Sequence, residues 1–260
     1  MVDELGGGSV WPRRLGRFSL YASLAAVLAL VIAGPGHRFG MVGVMPGIWL
    51  AMAGGALALA ALLVGVVAVI GILRVPGQPA LGSAVVAVVI GAALSAQLYG
   101  WFDQARSVPP IHDISTDLED PPAFSAIAPL RADAPNPAAW AGEENAEQQR
   151  RAYPDLDTLV VEAPPAEVVR QAAEIARALG WEVVAAQPDA GRLEAVDTTF
   201  WFGFRDDIVL RARPGSRGTE VDVRSKSRVG RSDLGTNAAR IREFLAALEE
   251  SLGGEDDRPG

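Results

Sequence analysis

Residues 48–73 read IWLAMAGGALALAALLVGVVAVIGIL, a run of 26 residues without a charged side chain. A helix needs about 20 apolar residues to cross the hydrocarbon core of a bilayer. This run is therefore long enough to span a membrane with some tilt. It is apolar on every side, which predicts a helix surrounded by lipid rather than an amphipathic helix on a protein surface.

Two further uncharged runs flank the first one. Residues 18–33 are uncharged and continue to Gly36, with Arg17 in reach of the headgroups, and residues 80–102 form the third run. Glycine and proline interrupt the chain between the runs, as GPGHR and as RVPGQP. We predict a cytoplasmic tail and a three-helix transmembrane region, with boundaries at 1–17 and 18–102 and spans at about 18–36, 48–73 and 80–102.

Two alternatives to three spans are disfavoured. A basic stretch precedes the first run, as in a cleaved signal peptide, but Gly34-Pro35-Gly36 is a poor cleavage site and two more apolar runs follow. The runs also differ from buried helices of a globular core, which are seldom this long and apolar all round.

The composition divides the chain into two parts. Half of the residues are hydrophobic (50%), yet the net charge is −8, and nearly all acidic residues follow Phe102. An acidic soluble part argues against a nucleic-acid partner, which would require a basic face. The chain has no cysteine and only two histidines, His37 and His112, which excludes disulfides and thiol chemistry and predicts no metal site and no cofactor.

The distribution of basic residues predicts the orientation. Arg13, Arg14 and Arg17 precede the first span and Arg74 follows the second, whereas Arg38 and Arg106 lie on the opposite side. The bias favours a cytoplasmic N-terminus. Three crossings then place the soluble part outside, in the periplasm of a bacterium with two membranes. We expect a multi-pass protein of the bacterial cytoplasmic (inner) membrane with the lipid bilayer as its first partner.

The spans themselves have the character of an anchor. They contain glycines that permit close approach between helices, at positions 54, 55, 65, 71, 82 and 91. No ionisable residue lies near their centres, although transporters and proton relays usually carry such residues there.

Residues 103–155, here called the proline-rich segment, predict a leader or linker that is partly docked on a folded domain. Prolines at 109, 110, 121, 122, 129, 135 and 137 interrupt regular structure. The segment is long for a structureless connection, and apolar residues such as Ile111, Ile114, Phe124 and Ile127 suggest docking.

Residues 156–252 predict a soluble α+β domain with the order β-α-β-β-β-β-α, followed by a disordered tail at 253–260. Pro164-Pro165 and Gly180 bound a helix, and residues 207–213 and 219–226 alternate polar and apolar side chains on either side of a hairpin loop. The alternation predicts an antiparallel sheet with both helices on one face and the other face solvated. Asp206 and Asp207 are interpreted as turn residues before a strand.

Four blocks of sequence carry a resemblance to a known family. They are IHDISTD at 111–117 followed by PPAF at 121–124, YPD at 153–155, EA at 194–195 with FRDD at 204–207, and DVRSKSRVGRSDLGTNAARI at 222–241. Over about residues 108–250 the chain resembles the domain of unknown function 1499, whose bacterial members often carry N-terminal membrane spans. The resemblance supports the predicted domain and implies no mechanism, because no activity is established for that family.

The last block contains the candidate ligand-binding residues: Ser225, Ser227, Arg228, Arg231, Ser232, Asp233 and Asn237. A helix N-terminus beside two arginines can hold an anion such as phosphate. The favoured interpretation is structural, with Asp233 capping the helix and Arg228 bound to a carboxylate such as Asp113 or Asp117.

A hydrolase interpretation rests on His112 and Asp113, the candidate catalytic residues, beside Ser115. Neighbouring residues of a strand point to opposite faces, so the three do not form a triad by sequence alone, and no Gly-x-Ser-x-Gly turn is present. Residues 200–204, FWFGF, are either core or sheet edge, which we favour, or a patch for lipid or a partner.

The favoured function is therefore non-enzymatic. We expect a membrane-anchored envelope module that binds a partner protein or an amphiphile. The alternative is a hydrolase or an anion-binding domain that uses the His112/Asp113 and Arg228/Asp233 region.

Overall fold

The computed structural model describes residues 10–74 and 81–253, and the predicted features at 1–9, 75–80 and 254–260 lie outside these residues. The chain divides into two compact units. The first contains residues 1–103 together with Phe200–Gly203, and the second contains Gln104–Thr199 and Phe204–Gly260.

The first unit is built from three helices: α1 (Trp11–Arg38), α2 (Val44–Leu73) and α3 (Leu81–Ser107). Each is long and apolar enough to cross a membrane, which confirms the three predicted spans. The helices are longer than the uncharged runs: α1 also includes Arg13, Arg14 and Arg17, and α3 also includes Asp103 and Arg106. Charged side chains at helix ends can reach the headgroups while the helix continues.

Small residues form the contacts among these helices. A Cβ atom added at Gly91 would lie 2.9 Å from the Cβ of Leu62 and 3.0 Å from the carbonyl oxygen of Ala58. Ala26, Ala58 and Ala61 are buried, whereas large side chains such as that of Leu63 point outward and are 60% exposed. Helices in lipid associate through such close contacts, because burial of apolar surface supplies little driving force there.

The second unit contains a six-stranded antiparallel sheet. Its strands are β1 (Asp113–Ser115), β2 (Leu159–Val161), β3 (Glu182–Gln187), β4 (Arg192–Thr198), β5 (Arg205–Gly215) and β6 (Gly218–Ser227), and its helices are α4 (Glu143–Ala152), α5 (Pro165–Ala178) and α6 (Thr236–Gly253). From β2 to α6 the order is the predicted β-α-β-β-β-β-α. The sheet order is β1-β6-β5-β4-β3, and β2 pairs with β6 further along the edge that β1 also uses.

One face of the sheet packs against α5 and α6 and forms the apolar core. Ile208, Leu210, Val221 and Val223 supply the sheet side of this core, since alternate residues of a strand share a face. The rings of Trp181 and Phe244 stack with their centroids 4.9 Å apart. The two predicted helices therefore lie on one face, as expected for an α+β sandwich.

The opposite face is polar but buried, and the prediction that it is solvated was wrong. Six of its charged side chains are at most 1% exposed: Asp113, Glu194, Asp207, Asp222, Arg224 and Lys226. Residues of the proline-rich segment cover this face, with Phe124 and Ile127 packed on Val196 and Val209. Alternation showed which side chains share the face. The residues that cover it lie about 70 to 110 positions away in the sequence, and a contact over that separation leaves no periodic signal.

Substitution at Gly91 tests the close packing of α2 and α3. Gly91→Val places side-chain atoms against the backbone of Ala58 and Leu62, and overpacking of this kind costs about 1–3 kcal/mol. In a chain without native cysteine, Ala58→Cys reports the opening of this contact through its rate of reaction with a maleimide. We expect that rate to rise roughly tenfold for each 1.4 kcal/mol of lost packing.

Gly82→Val is the matched control, because nothing lies within 4 Å of a Cβ added at Gly82. It should leave the Ala58→Cys reaction rate unchanged. Equal rates in the Gly91 and Gly82 variants would contradict the packing.

Candidate functional site

The centre of the buried polar face is an ion cluster around Asp113. Its Oδ1 accepts a hydrogen bond from Nε of Arg224 at 2.8 Å, and its Oδ2 accepts one from Nη2 at 2.9 Å. The ammonium of Lys226 lies 2.9 Å from Oδ2. Pairing of β1 with β6 places Asp113 opposite Lys226, so the register itself brings these charges together.

The two cations of this cluster are surrounded by aromatic rings and carbonyl oxygens. The guanidinium of Arg224 lies 4.8 Å from the ring centroid of Phe124 and 5.2 Å from that of Trp140. It also donates to the carbonyl of Pro122, and Lys226 donates to the carbonyl of Ala139 at 2.6 Å. Burial lowers the pKa of Lys226, and the adjacent Asp113 carboxylate acts in the opposite direction.

A second buried cluster surrounds Asp207. Nη2 of Arg228 lies 2.7 Å from Oδ1 of Asp207, and Nη1 of Arg131 lies 2.8 Å from Oδ2. Arg228 therefore binds a carboxylate, as predicted, but its partner is Asp207 rather than Asp113 or Asp117, the two examples named from the sequence. Asp207 is a buried residue of β5 rather than a turn residue, which corrects that interpretation as well.

A third cluster surrounds Asp222 of β6. Arg211 of β5 lies opposite Asp222 in the register and forms an ion pair with it at 3.1 Å, and Arg213 lies 3.3 Å from the same oxygen. Asp117 of the proline-rich segment binds both arginines, at 2.9 and 3.4 Å. Burial acts to raise the pKa of Asp117, but the backbone donors of Asp120 and Glu119 and the two arginines outweigh it and hold that pKa below its usual value.

Three of the candidate ligand residues form a network on the helix side of the sheet. The Ser225 hydroxyl donates to Oδ1 of Asn237 at 2.7 Å, and Nδ2 of Asn237 donates to the Ser227 hydroxyl at 3.0 Å. Arg240 of α6 donates to the same Asn237 oxygen and forms ion pairs with Asp206 and Asp197, both at 2.7 Å. These polar groups use each other as partners and connect α6 to the end of β6.

Asp233 caps α6, as predicted. Its carboxylate accepts from the backbone N–H of Gly235 at 2.8 Å and from that of Asn237 at 3.0 Å. Burial nevertheless raises the pKa of Asp233, since desolvation of the charged form outweighs these two donors. A carboxyl with a raised pKa stabilises the fold most when protonated, so its contribution falls as pH rises from 3.8 through the folded-state value.

His112 lies close to this cap. Its carbonyl accepts from the N–H of Ser227 at 3.0 Å and from Nδ2 of Asn237 at 3.1 Å. Burial, and next the positive charge of Lys226, lower the pKa of its imidazole below 6.5. The shift favours the neutral form of the ring.

The structure divides the predicted site residues among separate networks. Asp113 belongs to the Arg224 cluster, Arg228 to the Asp207 cluster, and Asp233 to the cap of α6. Ser232 accepts from the N–H of Leu234 at 3.2 Å, and Arg231 is exposed. Within residues 10–74 and 81–253, no group of three His, Asp or Glu side chains is placed to hold a metal ion.

Several residues of these clusters had not been singled out as site residues, among them Arg131, Lys226 and Arg240. Arg224 and Lys226 follow the alternation of β6 on its polar side, so the pattern marked them as a face without showing its burial. The signal available in the sequence was the presence of two aromatic residues, Phe124 and Trp140, in the proline-rich segment. Aromatic residues in a proline-rich segment indicate that it packs on something.

A concave feature of the second unit is a groove beside the proline-rich segment, with a volume of about 420 Å³. Its lining includes Asp117, Leu118, Glu119, Arg150, Tyr153 and Asp157. Arg150 lies 3.2 Å from Glu119 and 2.6 Å from Glu143. The groove therefore combines apolar surface with charged side chains, of which Asp117 and Glu119 already pair with arginines.

Removal of the Asp113 charge tests the role of the central cluster. Asp113→Asn leaves Arg224 and Lys226 as buried cations without a carboxylate, and loss of one partner of a buried ion pair costs about 3–5 kcal/mol. Urea denaturation of the full chain in detergent, followed by near-ultraviolet circular dichroism, measures this loss in the free energy of unfolding. Glu119→Gln is the control, because that carboxylate is 90% exposed and its loss should not change the transition measurably. A loss as small as that of the control would show that the cluster does not stabilise the domain.

Comparison with known proteins agrees with this architecture. The model of the family described as "Protein of unknown function (DUF1499)" matches residues 113–248, from the first residue of β1 into α6. No curated protein gives a significant match to the chain. The match covers just over half of the chain and includes each of the ion clusters described above, and it confirms the resemblance found in the sequence. The chain belongs to the DUF1499 family.

Proposed function

We propose that this protein is a membrane-anchored module that binds a partner protein, and that it is not an enzyme. Three candidate membrane spans precede the folded domain. They would anchor the domain, together with any molecule that it binds, at a bilayer. The proposed binding surface is the groove between Asp117 and Asp157.

The observation that supports a non-enzymatic function is the pairing of charges inside the domain. Every charged side chain that is buried among its described residues lies within an ion pair with an opposite charge. Catalytic acids and bases need a free proton site that substrate can reach. Clusters that are closed on themselves are suited instead to holding a rigid cover, the proline-rich segment, on the sheet.

The groove supports a partner of defined chemistry. Its lining includes the carboxylates of Asp117 and Glu119, which pair with arginines, and that of the exposed Asp157. The apolar side chains of Leu118 and Leu156 lie among them. A protein segment that carries lysine or arginine beside an apolar residue complements this surface, because complementary charge favours encounter and orientation.

The hydrolase alternative has less support. Asp113 is 0% exposed and binds Arg224 and Lys226, so it is unavailable to orient His112 as a base. At the N-terminus of α6, Asp233 already accepts from two of the backbone N–H groups that an anion would use. The anion-binding alternative is weakened for the same reason.

We place the protein in the bacterial cytoplasmic membrane, with the N-terminus in the cytoplasm and the domain in the periplasm. The support is the excess of arginine at the start of α1. A partner within this proposal is therefore an envelope protein or the exposed part of a membrane protein, and nucleic acid is not among the expected partners.

Photocrosslinking in native membranes tests the groove. The chain has no cysteine, so Asp157→Cys provides a single thiol for a short photoreactive maleimide. We expect one predominant protein adduct from this position, identified by mass spectrometry, because the probe lies in the groove. Asp189→Cys is the matched control, since Asp189 is also an exposed aspartate but lies outside the groove.

A further variant tests the proposed charge complementarity. Glu119→Lys should abolish the Asp157 adduct, because it adds a positive charge at an exposed position of the groove without disturbing the core. Identical adducts from Asp157 and Asp189, or adducts to lipid alone, would contradict a protein partner at the groove.

The orientation has a separate test. Alkaline phosphatase fused after the last residue of the full chain should be active, because three crossings take that end to the periplasm, where the enzyme folds. Fusion after Leu73, behind two helices, should be inactive. The reverse pattern would place the domain in the cytoplasm.

A further inference from the structure

The aromatic residues between β4 and β5 belong to the unit that contains the three helices. Residues Phe200–Gly203 group with residues 1–103. The side chains of Phe200 and Trp201 are 84% and 39% exposed, so this short segment presents large apolar surface to its surroundings. A contiguous exposed apolar surface commonly marks a site of contact with another protein or with a membrane.

The contacts of this segment place it at one end of α1. Nη1 of Arg38, the last residue of α1, donates to the carbonyl of Phe200 at 2.7 Å. The guanidinium of Arg38 also lies 5.9 Å from the ring centroid of Phe200. The indole of Trp201 packs against α1 at Gly34, where it occupies the space that a Cβ atom would need.

The end of a membrane helix defines a depth in the bilayer. Arg38 is the only arginine or lysine of α1 outside its first two turns, and a guanidinium is strongly disfavoured in the hydrocarbon core. Arg38 therefore marks the headgroup level. Phe39 and Met41, which follow it in the connection to α2, are 72% and 74% exposed. Exposed apolar side chains therefore occur near this arginine both in that connection and in the segment that contains Phe200.

The chemistry of the segment fits this level of the bilayer. Tryptophan is enriched at the membrane interface, where an apolar ring and a polar N–H both find suitable surroundings. Arg205, which follows the segment, is exposed and can bind anionic headgroups. Trp201 contacts α1 at Gly34 and Phe200 contacts it at Arg38, so their exposed rings lie beside the end of a helix that is long and apolar enough to cross a membrane.

We propose that Phe200 and Trp201 insert into the lipid headgroup zone beside the end of α1 and form a second attachment of the chain to the bilayer. The occupant of this surface is lipid. Sequence alone had favoured core or sheet edge for these residues. The proposal is independent of the partner proposed for the groove, which uses other residues.

Depth measurements with single cysteines test the proposal. The chain has no native cysteine, so Phe200→Cys, Phe39→Cys, Leu63→Cys and Ser216→Cys each carry one environment-sensitive fluorophore. The full chain is reconstituted at one copy per nanodisc, with either ordinary lipids or lipids brominated along the acyl chains. Iodide in the buffer quenches labels that face water, and bromine quenches labels within lipid.

The four positions provide matched references. Leu63 is an exposed residue in the middle of α2 and reports the hydrocarbon core, and Phe39 reports the end of α1. Ser216 is exposed in the loop after β5, an 11-residue strand, and so lies about 35 Å along the strand from the aromatic segment. It reports water.

We expect the Phe200 label to behave like the Phe39 label. Its emission lies at shorter wavelength than that of the Ser216 label. Lipid bromine near the interface quenches it, and iodide quenches it much less than it quenches the Ser216 label. The proposal is overturned if the Phe200 label is quenched by iodide as fully as the Ser216 label. It is also overturned if the Phe200 label is protected from iodide but insensitive to lipid bromine, because protein would then cover it.

Discussion

The fold of the second unit depends on the ion cluster of Asp113, Arg224 and Lys226. Burial of three charges is costly, because water is exchanged for a medium of low polarity. Here each charge has compensation: the carboxylate receives two guanidinium N–H groups and an ammonium, and the cations also donate to backbone carbonyls. Phe124 and Trp140 enclose Arg224 and exclude water. The cluster can exist only with the proline-rich segment in place, and the segment is held in place by the cluster.

This mutual dependence explains why residues rich in proline are ordered. Prolines reduce the freedom of the unfolded chain and supply carbonyls without N–H groups that need partners. The carbonyls of Pro122, Ala138 and Ala139 accept from the buried cations, so backbone that is neither helix nor strand becomes part of the polar interior. A sheet with many charged side chains on one face is then the middle layer of a structure with three layers: helices, sheet and cover.

The same arrangement has consequences for function. Residues that suggest chemistry in the sequence, such as Asp113 and Arg228, are committed to structural ion pairs, and Asp233 is committed to the cap of α6. Two other surfaces contain exposed side chains: the groove lined by Asp117 and Asp157, and the aromatic pair at the end of α1. Protein is the proposed partner of the first surface and lipid that of the second.

The amino-acid sequence alone determined the features that depend on local pattern. Uncharged runs of about 20 residues predict spans because a bilayer has a known thickness. Alternation predicts strands because side chains of a strand point to opposite faces, and Asp233 before a helix predicts a cap because its carboxylate reaches the first N–H groups. Only the tertiary structure decided that Asp113 binds Arg224, that Arg228 binds Asp207, and that the polar face is buried. These facts depend on segments about 20 to more than 100 residues apart, and the choice among many possible charge partners is made by strand register and by the position of the cover, neither of which a local pattern contains.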